Sequence, residues 1–392
     1  MMKKNSYDVI VVGCGPAGST ISYLLQTHGF EVLAIDKDVF PRSKLCGGLL
    51  TRKTLNLLHR IYGDTLADLQ EKKIIEYISY TYELRTQKSL LKSGNTNIPS
   101  VLVDRLVYDN YLLERAKQVG VKVLEGDRVF SVDQKDICVT TITGKTFRAN
   151  LIVGADGANS VVRKAISEKQ FNLKDWREKL ATGVEVSIPR EEATDFITGP
   201  VVYFGVVTWG YGWVFPNKSN LLVGVGCLNP RHNDLNVALS KILSLINYKP
   251  ATPYKLRGHP IPYGNFLKRP SSESLLLIGD AAGLVDPLMG EGIYYAQRSA
   301  EIAAACIKET LGSGSKSDLA NKYVKVLNAS IISELMAIDK FRSFIFTMND
   351  LFGLKSTKLI LDVVGEKRFL ELVHGIRSYR WEKRGGIDEN YR

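Results

Sequence analysis

Cysteine and histidine are scarce in this chain. The five cysteines (Cys14, Cys46, Cys138, Cys227 and Cys306) are scattered and form no CxxC pair. The sequence therefore offers neither a disulfide framework nor a zinc site, no metal is expected, and a reducing cytoplasm is the expected compartment. The five histidines show no catalytic spacing, and His259, next to Pro260, reads as structural. No Lys/Arg run interleaved with aromatics is present, which argues against nucleic acid as a partner. Long apolar runs are also missing. Residues 196–217 carry no charge, but they hold Gly199, Gly205, Gly210, Gly212, Pro200 and Pro216 among β-branched and aromatic residues. Two strands joined by a glycine turn fit this better than a membrane helix. The N-terminus runs straight into an apolar strand, which argues against a cleaved signal peptide. There is no internal repeat and no low-complexity segment.

What remains is an ordinary globular composition, 45% hydrophobic and 24% charged over 392 residues, enough for two domains. The net charge of +11 reads first as a solvated basic surface. Its sharper meanings are an anionic membrane surface, contacted peripherally, or an acidic protein partner.

The chemistry begins near the N-terminus. An apolar strand over residues 8–12 leads into Gly13, Gly15 and Gly18 and then a helix. Gly13 permits the turn, Gly15 lets backbone approach a pyrophosphate, and Gly18 lets helix pack on strand. The anion would sit on the helix N-terminus. Asp36 closes the next strand at the spacing expected of a ribose-binding acid. Far downstream, a buried strand over residues 274–278 runs into Gly279 and Asp280, where a carboxylate at a strand's C-terminal edge can hold a polyol or cap a helix. Gly290 and Gly292 open the next helix, predicted over residues 292–310, and allow backbone close to a flat ring. Arg105 heads a helix predicted over residues 104–119 and can reach a pyrophosphate bidentately.

Between these segments, strands are predicted over residues 75–82, 89–91, 121–124, 128–133, 137–142, 146–149 and 151–154. Helices are predicted over residues 51–62 and 235–245, and residues 181–227 alternate as antiparallel strands do. After residue 312 the chain reads as helical, with Ile331, Leu335, Ile338, Phe341 and Ile345 on one face. The predicted fold class is α/β (α+β overall): a discontinuous Rossmann-like dinucleotide-binding domain with a parallel sheet, an inserted antiparallel-sheet substrate domain and a C-terminal helical region. The expected boundaries are 1–74, 101–168 and 268–325 for the first, 75–100 and 169–267 for the second, and 326–392 for the third.

The glycine loop, Asp36, Arg105, the Gly154 to Gly157 turn with Asp156, and Gly279-Asp280 together resemble the FAD-dependent enzymes of the p-hydroxybenzoate hydroxylase fold. The resemblance spans residues 8–293 and implies FAD as cofactor. It further implies backbone contacts from Ala17 to the ADP half, from Val129 to the adenine side, and from Gly292 and Ile293 to the isoalloxazine. Val129 is placed by spacing alone. A narrower resemblance is to the geranylgeranyl reductase family. It rests on the loop from Pro41 through Cys46, Gly47 and Gly48, and on Tyr211, Trp213, Phe215 and Pro216 followed by Gly224 and Gly226. Gly290-Glu291-Gly292 is similar to bacterial members, although Met289 stands where Thr is expected.

That family reduces carbon–carbon double bonds in isoprenoid chains, with hydride from flavin N5. The resemblance therefore implies an isoprenoid lipid or prenylated small molecule as substrate. An isolated alkene needs positive charge to develop on carbon, which aromatic faces stabilise. Tyr211, Trp213 and Phe215 alternate and so share one strand face, which offers an apolar slot or, more plainly, core packing. Cys46 is expected beside the flavin, as a backbone contact, a proton donor or a small buried residue. No second strand–GxGxxG–helix unit is present, so the electron donor, ferredoxin or NAD(P)H, is expected to dock transiently. A flavin monooxygenase of the same fold and a non-catalytic flavin-binding protein are the alternatives.

Overall fold

Strand β1 (Ser6–Val12) is buried at every residue from Val9 onward, because it is flanked on both edges by parallel partners and covered by helices. The computed structural model describes residues 6–166, 173–193, 197–228, 233–248, 256–311 and 318–380. Residue 196, the start of the uncharged stretch, lies outside them. The chain divides into two compact units. One comprises residues 1–43, 106–177 and 264–336, the other residues 44–105, 178–263 and 337–392.

In the first unit, β1 pairs in parallel with β2 (Val32–Ile35) on one edge and β9 (Thr146–Gly154) on the other. β6 (Lys122–Leu124) extends the sheet beyond β2. β7 (Val129–Asp133), β8 (Cys138–Thr141) and β9 form an antiparallel meander. The two strands expected at residues 146–149 and 151–154 are one strand. Its free edge is shared: the first half pairs antiparallel with β8 and the second half parallel with β15 (Leu275–Leu277). Its burial switches at the same place, from alternating to continuous. Helix Pro16–Thr27 carries its buried residues toward helix Ile293–Leu311, where Gln297 bonds Thr20 Oγ1 at 3.3 Å and accepts from the Tyr108 hydroxyl at 2.9 Å. A polar trio buried in a helix interface stays only if each member is satisfied.

The second unit holds β3 (Leu49–Leu50), β4 (Ile75–Thr86), β5 (Leu90–Val103), β10 (Leu180–Pro189), β11 (Val201–Phe204), β12 (Gly210–Pro216), β13 (Asn220–Leu228) and β14 (Arg257–Pro262). They form one eight-stranded sheet in the order β14-β10-β13-β12-β11-β4-β5-β3. All its pairs are antiparallel except β4 with β11. The predicted strands over residues 75–82 and 89–91 are thus parts of a longer hairpin, in which each strand continues further. One face, carrying Val184, Val186, Val214, Val223 and Val225, packs against Leu239 and Ile242 of helix Leu235–Leu245. Asp234 caps that helix through the N–H groups of Asn236 and Val237, as a carboxylate at this position does.

Residues 44–74 belong to the same compact unit as the antiparallel sheet. The described C-terminal residues after 336 join the same unit. Glu366 heads helix Glu366–Val373 and accepts from the Tyr82 hydroxyl at 2.9 Å. Of the predicted C-terminal stripe, Ile331, Leu335, Ile338 and Ile345 are buried, and Phe341 is half-buried against Tyr379. The architecture is mixed α/β, with a parallel-rich sheet, an antiparallel sheet and C-terminal helices.

Candidate active site

The first unit gathers the nucleotide-binding segments. Gly13 has φ +96°, and a Cβ there would lie 2.5 Å from the Ala155 carbonyl oxygen. A side chain is excluded both by conformation and by space. Gly18 is tighter still, since its Cβ would fall 1.8 Å from Gly13 O. Gly15 is the N-cap of helix Pro16–Thr27 and supplies no side-chain cap. The helix N-terminus is therefore left to a ligand, and the glycine cradle suits a pyrophosphate. Asp36, 7% exposed, follows β2. One of its carboxylate oxygens accepts from Cys14 N–H at 2.6 Å and the other from Asp38 N–H at 2.9 Å. Burial raises its pKa, while those N–H bonds and Arg42 work the other way.

The Gly279 to Asp280 turn follows β15 as a short 3-10 helix in which Asp280 makes no side-chain cap. Its position against helix Pro16–Thr27 is set by small residues: a Cβ on Gly279 would be 3.1 Å from Ala17 Cβ. Asp156 accepts from Val161 N–H at 2.6 Å, at the first residue of helix Val161–Ala165, whose N-cap is Ser160. The turn before helix Ile293–Leu311 is held by Asp286, whose carboxylate accepts from the N–H groups of Leu288 and Met289, both at 2.8 Å. Gly290 and Gly292 lie in that turn and Ile293 begins the helix. Val129 opens β7 and is buried.

The second unit holds Cys46, Gly47, Arg105 and every residue expected to meet substrate. Tyr211, Trp213 and Phe215 do share one face of β12, opposite to the valine face. The register places Trp213 across from Gly224, and Tyr211 across from Gly226. The indole sits against Gly224 of β13, where a Cβ would be 2.2 Å from the Trp213 ring. Tyr211 meets Trp213 edge-on, with centroids 6.1 Å apart. Phe215 covers Gly47, whose Cβ would sit 2.5 Å from that ring. Aromatic strand and Cys-Gly-Gly loop are thus one surface. Pro216 ends β12 and is buried.

The Cys46 thiol turns into its own loop and accepts from Gly48 N–H at 3.5 Å. Arg105 is 6% exposed at the head of helix Arg105–Gln118. His259 Nε2 lies 2.5 Å from Lys44 Nζ. Glu185 was not legible as a site residue. It stands on β10 between Gly224 and Arg257, accepts from Trp213 Nε1–H at 3.1 Å, and is reached by the Cys46 N–H. Burial drives its carboxyl up to about 7, against the opposing pull of these N–H groups, Arg257 and Arg105. Its only sequence signal is a lone acid in an otherwise apolar strand.

Among the described residues no helix is long and apolar enough to cross a membrane, and no cluster suited to a metal ion is found.

Residues 6–194 match the family model described as FAD binding domain. The chain is 30% identical over 326 residues to geranylgeranyl diphosphate reductase of Rhodobacter capsulatus, covering 80% of this chain and 78% of the relative. It is 28% identical over 325 residues to menaquinone reductase of Mycobacterium tuberculosis, covering 78% and 77%. A geranylgeranyl bacteriochlorophyll reductase-like protein from Thermoplasma acidophilum superposes with a TM-score of 0.78 at 20% identity, over 95% of each chain.

Proposed function

Because the chain belongs to the geranylgeranyl reductase family of FAD-dependent oxidoreductases, we propose that it reduces carbon–carbon double bonds in the isoprenoid chain of a lipid or prenylated precursor. The observation that carries this reading is the surface formed by Tyr211, Trp213 and Phe215 with Gly224 and the Cys46 loop.

FAD, when bound and reduced, supplies the hydride. The residues of the first unit hold it: Gly13, Gly15, Ala17 and Gly18 the pyrophosphate, Asp36 the adenine-side ribose, Val129 the adenine side and Asp280 the ribitol. Gly290, Gly292 and Ile293 offer backbone to the ring. Arg105, Cys46 and Gly47 are assigned to FAD by the family resemblance alone. Fixed N–H groups and small residues suit an anionic, flat cofactor because they need no reorganisation on binding.

The aromatic face takes the prenyl chain. Its rings exclude water and face the positive charge that develops on an alkene carbon, each worth about 0.5–2 kcal/mol. Gly224 opposite makes room for the indole, since a Cβ there would meet its ring. Electrons arrive from a transient donor, an acidic ferredoxin-type carrier or NAD(P)H, drawn to the basic surface. The same charge favours peripheral contact with an anionic membrane that holds the lipid.

The test is anaerobic. Enzyme is photoreduced and mixed with geranylgeranyl lipid, prenyl diphosphate or prenylated quinone, and product is read by mass spectrometry. Flavin reoxidation without oxygen, with two hydrogens gained per bond reduced, is the expected result. Product formed only in air, and carrying oxygen, overturns the reading in favour of a monooxygenase of the same fold.

A further inference from the structure

Reduction of an alkene needs a proton as well as a hydride, and the Cys46 thiol is turned into its own loop. One buried acid lies on the aromatic face. Glu185 is 7% exposed, and its neighbours across the sheet are Gly224 on β13 and Arg257 on β14. Its carboxyl is tied at once to the aromatic strand, through Trp213 Nε1–H at 3.1 Å, and to the Cys-Gly-Gly loop, through the Cys46 N–H. A buried carboxyl costs stability unless it is used or neutralised. This one sits where both segments expected to meet the reacting centre converge.

We propose that Glu185 is the acid that delivers the proton of the reduction, from the sheet face that carries Tyr211, Trp213 and Phe215. The proposal rests on the reductase reading above. In the step, the O–H bond of neutral Glu185 breaks and its proton forms a C–H bond with one alkene carbon, using the π pair. The hydride from reduced FAD forms a C–H bond at the adjacent carbon. Glu185 is left as a carboxylate and is reprotonated from solvent before the next turnover. The Trp213 and Cys46 N–H groups strengthen as that negative charge appears, so they favour the transfer itself more than the starting acid.

The groups that face Glu185 are Arg257 from β14, Arg105 from the head of its helix and Cys46 from the loop, with the Lys44–His259 pair two register steps away. The two arginines favour the carboxylate, yet burial outweighs them and leaves the group poised near neutrality, where a general acid is most effective. The sign is then fixed. The competent form is protonated, so the rate of alkene reduction falls as pH rises through about 7.

The experiment uses FAD-loaded wild type, Glu185→Gln and Glu185→Asp, with geranylgeranyl lipid as the probe. Gln keeps the shape and an acceptor oxygen but has no proton to give. In anaerobic single turnover it is expected to lose roughly 10²- to 10⁴-fold in rate, with lipid affinity, read from perturbation of the oxidised flavin spectrum, unchanged. Asp is expected to recover part of the rate. Independently of activity, tryptophan fluorescence of the wild type should titrate with a midpoint near 7, and that transition should vanish in Glu185→Gln and in Trp213→Phe. A Gln variant within about threefold of wild type, a loss confined to lipid affinity, or a rate that rises with pH overturns the proposal. A wild type that reduces no prenyl chain anaerobically overturns the functional reading itself, a result distinguishable from an active wild type matched by its Gln variant.

Discussion

The two faces of the antiparallel sheet are built from the same three strands, β10, β12 and β13, and have opposite compositions. One presents Val184, Val186, Val214, Val223 and Val225 to Leu239 and Ile242. The other presents Gly183, Glu185, Tyr211, Trp213, Phe215, Gly224 and Gly226. Branched aliphatics fill the first to interior density. The second alternates large rings with absent side chains and sets a single acid among them. Even the glycines differ in purpose. Gly212, on the valine side, makes room for Ile242, whose Cδ1 would be 2.1 Å from its Cβ, whereas Gly224 makes room for the Trp213 ring. The difference is that one face is filled for stability, while the other is the face proposed above to meet the prenyl chain.

Ile242→Ala attacks the packed face. Ile242 is fully buried, so its truncation is expected to cost about 2–5 kcal/mol. Denaturant unfolding should show this loss while the rate per folded, FAD-loaded molecule stays at wild-type level. A stable variant with an altered rate would mean that the two faces are coupled. Gly224→Val attacks the other face. Its Cβ cannot coexist with the indole where it lies, and the strain is expected to cost about 1–3 kcal/mol. Here the rate should fall more than the stability does, with FAD content retained. Unchanged turnover would sever the indole's position from function.

The βαβ unit at the N-terminus was legible in the sequence. Gly13, Gly18 and Asp36 act within a single βαβ unit, where spacing along the chain is spacing in space. The shared strand face of Tyr211, Trp213 and Phe215 was legible for the same reason, since alternation is local. What escaped was non-local. Glu185 matters because β10 pairs with β13 and β14 and because the Cys46 loop folds over it, and no window of sequence holds those partners together. The single strand β9 was split in two because its burial pattern changes halfway, when its neighbour changes from β8 to β15. The docking of residues 44–74 and the C-terminal helices onto the antiparallel sheet is likewise a matter of long-range packing.

The central claim is that the glycine-floored aromatic face is where the prenyl chain is reduced, and Trp213→Ala tests it most directly. Anaerobic reoxidation of the reduced variant by geranylgeranyl lipid should slow by roughly a hundredfold, equivalent to about 2.7 kcal/mol of transition-state stabilisation, while bound FAD per chain and its visible spectrum remain those of the wild type. Loss of FAD with unchanged activity per remaining flavin would contradict the account and assign the indole to cofactor retention or the core.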